Sequence, residues 1–200
     1  MGVVERAQQL ADELLFPAAL ATDAADAVSV EILDALAAAG LYGFALDSDF
    51  PTVCAVQEAL ASGCLTTAFL WAQHLGLVHT LARSGDEELR ARWLDRLARG
   101  EVRAGLALGG ALPQPALHAR PDGDVWLLDG VSPFVSGWGR IDVVHTAARV
   151  GDEIVWLIVD AREGPELRVE RLRLVALDAT ATVRVSFYGL AVPAERERGM

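Results

Sequence analysis

Lysine and asparagine are both missing from this 200-residue sequence. Without lysine, the chain cannot build a phosphate-binding loop with its usual lysine, a Schiff base or a pyridoxal site. Without asparagine, it has no acceptor for N-linked glycosylation. These absences remove several common enzyme classes before any motif is considered.

Cysteine, positive charge and long apolar runs are also scarce. The two cysteines, Cys54 and Cys64, lie in expected helices and suit a reducing compartment. The net charge is −11, and neither half of the chain forms a basic stripe, which argues against nucleic acid as a partner. The N-terminus does not resemble a signal peptide, and no apolar run is long enough to span a membrane. We therefore expect a cytoplasmic protein without a membrane span.

The first hundred residues carry apolar side chains at helical spacing. Ser29 is expected to cap the second helix and Gly100 to end the last one. The stretch after Leu65 is apolar on most sides, which is typical of a central helix. The expected helices cover residues 3–20, 29–39, 52–62, 65–83 and 86–99.

After Gly100 the apolar period changes from about 3.6 residues to 2. Expected strands cover residues 102–108, 125–131, 141–150, 153–160, 167–175 and 182–188, with a hairpin turn at Asp122-Gly123. No helix interrupts them. The sequence predicts an α+β multidomain fold, with an all-helical N-terminal domain followed by an antiparallel β-barrel or sandwich. We place the helical domain at 1–100, the β-domain at 101–194 and the start of a linker at 195–200.

The sequence contains no strong general motif for catalysis or metal binding. His74 and His79 are five residues apart and so point to different faces of a helix, and the histidines and cysteines show no metal-ligand spacing. We expect no metal site. Gly109-Gly110 could let backbone approach a ligand closely, although two glycines alone are weak evidence.

The segment Pro133–Asp142 combines an aromatic side chain, a hydroxyl group and two glycines between two expected strands. Such a segment can pack against a flat apolar ligand and give it a hydrogen bond. A glycine-rich connection with its aromatic side chains in the core has the same composition. The residues alone leave both interpretations open.

Several segments occur in an order that is similar to one enzyme family. They are Leu36–Phe44, Gly85–Glu101, Asp129-Gly130, Phe134–Asp142, and Phe187 with Val192-Pro193. Together they resemble acyl-CoA dehydrogenases over essentially the whole chain. The resemblance implies a helical domain, a β-domain and a C-terminal four-helix bundle. It also implies oxidation of acyl-CoA thioesters at the α,β carbons with FAD, in fatty acid metabolism.

The resemblance also implies a cofactor site. Ser136 matches the Ser or Thr whose hydroxyl and backbone approach the flavin N5, and Phe134 matches the aromatic residue, usually Trp, that packs against the isoalloxazine ring. Val135 lies between them. The strand beneath the flavin matches Leu106, Leu108 and Gly109. These six residues are the expected FAD-binding residues.

The sequence departs from the family in three places. Gly109–Ala116 replaces a Thr-Glu-Pro loop that touches flavin and thioester, and Asp178–Ala181 replaces an Arg-Gly-Ser-Asp turn, of which only the following Thr182 keeps its place. The chain also stops before the helical bundle that carries the family's catalytic glutamate. No acid of this chain matches that glutamate, so we assign no catalytic residue and expect the chain alone to be inactive.

Three functions remain open. The first is an FAD-dependent acyl-CoA dehydrogenase-like oxidoreductase without the domain that carries the base. The second is a flavin-dependent monooxygenase of the same fold, and the third is a non-catalytic partner subunit. The expected partners are an acyl-CoA or similar substrate, possible electron-transfer proteins, and further subunits of a homo- or hetero-oligomer.

Overall fold

The computed structural model describes residues 1–198. The helices are α1 (Val3–Leu10), α2 (Phe16–Asp23), α3 (Val30–Ala38), α4 (Phe50–Gly63), α5 (Leu65–Ala82) and α6 (Glu87–Ala98). The expected N-cap Ser29 is confirmed, since its side chain accepts a hydrogen bond from the Ile32 N–H. Asp49 and Asp86 cap α4 and α6 in the same way. The central position expected for α5 is also confirmed by its many buried side chains.

A π-helical turn, Ala11–Leu15, joins α1 to α2. Pro17 lies two residues after this turn, and a proline ring cannot fit the regular i−4 hydrogen-bonding pattern of an α-helix. The widened turn lies against α4, where a Cβ placed on Gly63 would stand 2.8 Å from the Ala11 carbonyl oxygen. Gly63 therefore lets the π-helical turn and α4 pack closely at Ala11.

The second half of the described chain forms one sheet. Its strands are β1 (Ala104–Ala107), β2 (Leu117–Asp122), β3 (Val125–Val135), β4 (Val143–Val150), β5 (Glu153–Asp160), β6 (Leu167–Arg171), β7 (Val183–Pro193) and β8 (Glu197–Arg198). The order is β6-β7-β3-β2-β4-β5-β8, and β1 pairs with β4. The predicted fold class, a helical domain followed by a β-domain, is confirmed.

The sheet is mixed, whereas the sequence predicted antiparallel pairing. Both β1 and β2 run parallel to β4: Ala104 to Ala107 lie opposite its first half, and His118 pairs with Arg149 near its end. A 3-10 turn, Gly109–Ala111, separates the two strands. A Cβ on Gly110 would stand 2.5 Å from the Ala148 Cα, so the glycine lets the chain pass close to β4 between the two pairings.

A buried cluster joins helices to sheet. It contains Leu77, Val78 and Leu81 of α5, Leu89, Trp93 and Leu97 of α6, and Val102, Ala104, Val143 and Ile158. A second cluster fills the other side of the sheet, and a third lies among the helices. The helices and the sheet thus share apolar core at their junction.

The segment expected to begin a linker has structure as far as Arg198. A 3-10 turn covers Ala194–Arg196, and β8 then pairs with Trp156 and Leu157 of β5. Residues 199–200 of the expected linker lie outside the described residues. Within residues 1–198, no helix is both long and apolar enough to cross a membrane.

Candidate functional site

Residues 104–109, here called the β1 segment, consist of β1 and the start of the turn after it. They lie beside residues 131–136, which contain the end of β3. A Cβ on Gly105 would stand 3.0 Å from the Ser136 carbonyl oxygen, and a Cβ on Gly109 would stand 2.4 Å from the Val131 carbonyl oxygen. Leu106 and Leu108 lie between these two contacts on one segment, and Phe134 and Val135 lie between them on the other. The two groups of predicted residues are 25 or more positions apart in the sequence, and the fold places them on neighbouring segments.

The six predicted residues divide into exposed and buried sets. Phe134 is 65% exposed and Leu108 is 41% exposed, which is unusual for such apolar side chains. Leu106 is half-buried. Val135 and Gly109 are buried. Ser136 is buried at the turn that ends β3.

Gly109 has a clear packing role. Its Cα lies against the backbone of Val131 and Ser132, and its carbonyl oxygen accepts a hydrogen bond from the Ala116 N–H at 2.9 Å. The Gly109-Gly110 pair thus brings the chain close to β3 and β4. The segment Gly109–Ala116 is a compact turn held against the sheet.

The Ser136 hydroxyl belongs to a chain of three hydroxyl groups. Its Oγ lies 2.8 Å from Oγ1 of Thr182, which lies 2.8 Å from Oγ1 of Thr180. Thr180 Oγ1 donates to the Leu177 carbonyl oxygen at 2.7 Å. All three side chains are buried, so these groups depend on one another for hydrogen bonding.

The turn that holds Thr180 has an unusual backbone. Leu177 and Ala181 have φ angles of 59° and 51°, the left-handed region that non-glycine residues rarely adopt. The same turn accepts hydrogen bonds from the Gly137 and Trp138 N–H groups at 2.7 and 3.2 Å. It therefore fixes the backbone directly after Ser136. Strained backbone of this kind is often found at functional sites.

Asp178 stabilises that turn. Its Oδ1 accepts a hydrogen bond from the Leu174 N–H at 2.9 Å, and its Oδ2 lies 3.1 Å from the Arg173 guanidinium. The hydrogen bond from Leu174, helped by Arg173, lowers the pKa of the carboxyl group. The Asp178–Ala181 departure from the family pattern thus forms an ordered turn.

The sequence did not reveal Thr180 as a site residue. Its signal was weak: two threonines, Thr180 and Thr182, spaced two apart before a strand. In an extended chain that spacing would put both side chains on one face, but a 3-10 turn ends at Thr180 here and Ala181 is left-handed. Only the fold shows that the hydroxyl groups of these two threonines form a hydrogen-bonded chain with Ser136.

Chemically, the two neighbouring segments offer exposed apolar side chains and a buried hydroxyl group. Phe134 and Leu108 can cover a flat ring system, and Ser136 can add one hydrogen bond. None of the six predicted residues is an acid or a base. These six residues are suited to binding and orienting a flat apolar ligand rather than to transferring a proton.

Comparison with known proteins gives a family. The family model described as "Acyl-CoA dehydrogenase, N-terminal domain" matches residues 2–101, half of the chain. A curated relative, (2S)-methylsuccinyl-CoA dehydrogenase of Cereibacter sphaeroides, is 25% identical over 155 residues, which cover 71% of this chain and 28% of the relative.

Solved structures share the fold. A glutaryl-CoA dehydrogenase from Mycobacterium smegmatis in complex with FADH2 matches 98% of this chain and 54% of its own, with a TM-score of 0.87 and 21% identity. Butyryl-CoA dehydrogenase from Megasphaera elsdenii matches 99% of this chain and 57% of its own, with a TM-score of 0.85 and 19% identity. The chain spans little more than half the length of these structures. The match over half of its sequence shows that it belongs to the acyl-CoA dehydrogenase family.

Proposed function

We propose that this chain forms the helical and β-domain part of an FAD-dependent acyl-CoA dehydrogenase-like oxidoreductase. In this proposal residues 1–100 and 101–194 are the two domains, and the substrate is an acyl-CoA thioester of fatty acid metabolism. The observation that carries it is the close approach of the β1 segment to the end of β3. That approach sets two exposed apolar side chains and one buried hydroxyl group on neighbouring segments of a member of this family, which supports the proposal.

The six predicted residues would fit against a flavin ring. Phe134 would pack against the ring, Leu106 and Leu108 would lie beneath it, and Ser136 would bond its edge. Val135 and Gly109 would hold these contacts from behind. When bound, the flavin supplies the hydride-accepting chemistry. The protein's own contribution is to orient the ring and to exclude water from it.

The base that removes the substrate's α-proton lies outside this chain in our proposal. Dehydrogenation next to a thioester needs such a base within hydrogen-bonding reach. The six site residues include no titratable side chain, and the solved relatives extend well beyond the matched part. The remaining half of the site would come from a further segment or from another subunit, and an electron-transfer protein would reoxidise the flavin.

Flavin binding by the purified chain, alone and with a homologous C-terminal domain, tests the proposal. We expect bound flavin to show altered visible absorbance and quenched fluorescence. Phe134→Ala should weaken binding about tenfold or more, because it removes a large apolar contact. Tyr188→Ala is the control, since Tyr188 is an exposed aromatic residue on β7. Absence of flavin binding in both preparations would refute the proposal.

The Gly109–Ala116 segment supports a second candidate, a flavin-dependent monooxygenase. This segment forms a compact turn where dehydrogenases of the family carry a loop that touches the thioester. Oxygen consumption with reduced flavin, without turnover of acyl-CoA, would favour the monooxygenase. Acyl-CoA-dependent reduction of the flavin would favour the dehydrogenase.

A further inference from the structure

The hydrogen-bond chain at Ser136 has a direction that can be worked out. Each hydroxyl group carries a single hydrogen, whereas a carbonyl oxygen can only accept. The hydrogen of Thr180 is therefore used on the Leu177 carbonyl oxygen, 2.7 Å away. The 2.8 Å contact between Thr180 and Thr182 then needs its hydrogen from Thr182.

The same reasoning reaches Ser136. Because the Thr182 hydrogen points at Thr180, the 2.8 Å contact between Ser136 and Thr182 needs its hydrogen from Ser136. Ser136 keeps its oxygen lone pairs for any group placed against it. It can accept a hydrogen bond there but has no hydroxyl hydrogen left to donate.

The surroundings favour this direction. Ser136, Thr182 and Thr180 are 9%, 3% and 1% exposed, so water competes poorly for their hydrogens. The Leu177 carbonyl oxygen also accepts from the Thr180 backbone N–H at 3.0 Å, which anchors the end of the chain. Reversing the chain would give up the hydrogen bond from the Thr180 hydroxyl to this carbonyl oxygen and put no other donor of the described residues in its place.

We infer that Thr180 and Thr182 are positioning residues that make the Ser136 hydroxyl an obligatory hydrogen-bond acceptor. For the flavin, this inference rests on the proposed function. The N5 of an oxidised flavin is an acceptor, whereas the reduced ring carries N5–H and donates. An acceptor at Ser136 matches only the donating form, so the residue pair favours the reduced cofactor.

The chain without flavin gives a direct test. Neutron diffraction from a crystal of the whole chain in D2O locates the deuterium atoms of buried hydroxyl groups. We expect the Ser136 deuterium on the line to Thr182 and the Thr182 deuterium on the line to Thr180. A Ser136 deuterium that points away from Thr182 would overturn the inference, whether or not the chain binds flavin.

Thr180→Val gives a second test at a distance from the cofactor face. With no acceptor at position 180, Thr182 is free to donate to Ser136, and the Ser136 hydrogen is released. In the flavin-loaded protein, the ratio of reduced to oxidised flavin at a fixed potential should fall about tenfold. That change lowers the midpoint potential by about 30 mV for a two-electron couple.

Thr180→Ser is the matched control, because it keeps the hydroxyl group and should restore the original potential. An unchanged potential in Thr180→Val would overturn the inference. If Thr180→Val does not fold, the deuterium positions in the unmodified chain still decide the question. If no variant takes up flavin, the proposed function fails while the neutron result stands on its own.

Discussion

Gly100 stands at the point where the last helix meets the start of the β-region. Its φ angle is 69°, and its N–H bonds the Leu97 carbonyl oxygen, as is common for a glycine that ends a helix. A Cβ there would lie 2.9 Å from both the Ala37 Cβ and the Tyr42 ring. Both the backbone angle and the surrounding space require glycine.

Gly100→Ala should lower the free energy of unfolding by roughly 3 kcal/mol, through left-handed backbone strain and overpacking together. Gly40→Ala is a control that separates the two effects. Gly40 also has a positive φ, 73°, but a Cβ added there would meet open space, with no contact within 4 Å. It should cost only about 1 kcal/mol. Urea denaturation of both variants checks the difference, and equal losses would contradict the overpacking argument.

The roles of these single residues could be predicted from the sequence only in part. It identified Gly100 as a helix end, because its position after an amphipathic run indicates a stop. It could not show the contact with Tyr42, which lies 58 positions away and depends on tertiary packing. Ser136 was found through a motif, whereas its dependence on Thr180 follows from a hydrogen-bond network that sequence spacing does not reveal.

At the scale of secondary-structure elements, His74 connects α5, α6 and β1 through hydrogen bonds. It lies on α5, and its Nε2 bonds the Leu97 carbonyl oxygen of α6 at 3.0 Å. Its Nδ1 accepts from the Ala104 N–H of β1 at 3.1 Å. An Nδ1 that accepts carries no hydrogen, so Nε2 donates and the ring is neutral. The helices and the sheet are joined through one uncharged imidazole.

Burial lowers the pKa of His74 from 6.5 to about 4, with Arg103 adding to the decrease. The unfolded chain therefore takes up a proton below about pH 6.5, while the folded chain does not until about pH 4. We expect stability to fall as pH drops through this window, by roughly 3 kcal/mol in total from this group. Above pH 6.5 its contribution should be constant.

Urea denaturation between pH 4 and pH 8 measures this effect. In His74→Leu the pH dependence over the window should be smaller by that amount, although the overall stability drops because Leu97 and Ala104 lose a partner. His79→Gln, which changes a half-buried histidine of the same helix, is the control and should keep the slope. An equal slope in His74→Leu and the unmodified chain would contradict this assignment.

The elements themselves were largely predictable, and the exceptions have physical causes. The expected strand 167–175 ends at Arg171, because the chain then enters the turn around Asp178. Strand β2 went unrecognised, since it carries Pro121 and polar side chains and is held by its hairpin with β3. The parallel pairing with β4 could not be predicted, because it depends on how the chain turns at Gly109-Gly110.

Over the whole molecule, exposed apolar side chains and net charge have opposite effects on self-association. Most of the exposed large hydrophobic side chains lie in the helical half. Phe16 and Leu20 of α2 are four residues apart and so share a helix face, as do Leu65 and Phe69 of α5. Apolar surface of this kind favours association. The net charge of −11 opposes it through repulsion between like-charged copies.

We therefore expect the isolated chain to self-associate more strongly as salt is added. Raising the ionic strength from about 0.01 M to about 0.1 M shortens the screening length from roughly 30 Å to roughly 10 Å, which weakens the repulsion but leaves apolar attraction in place. Sedimentation at several protein concentrations measures the dissociation constant. Leu20→Gln with Leu65→Gln should weaken association at least tenfold, since each buried leucine contributes about 1.5–3 kcal/mol. Val175→Gln, at an exposed loop position outside the helices, should leave it unchanged. Association that weakens with salt would instead indicate an interface held by charge.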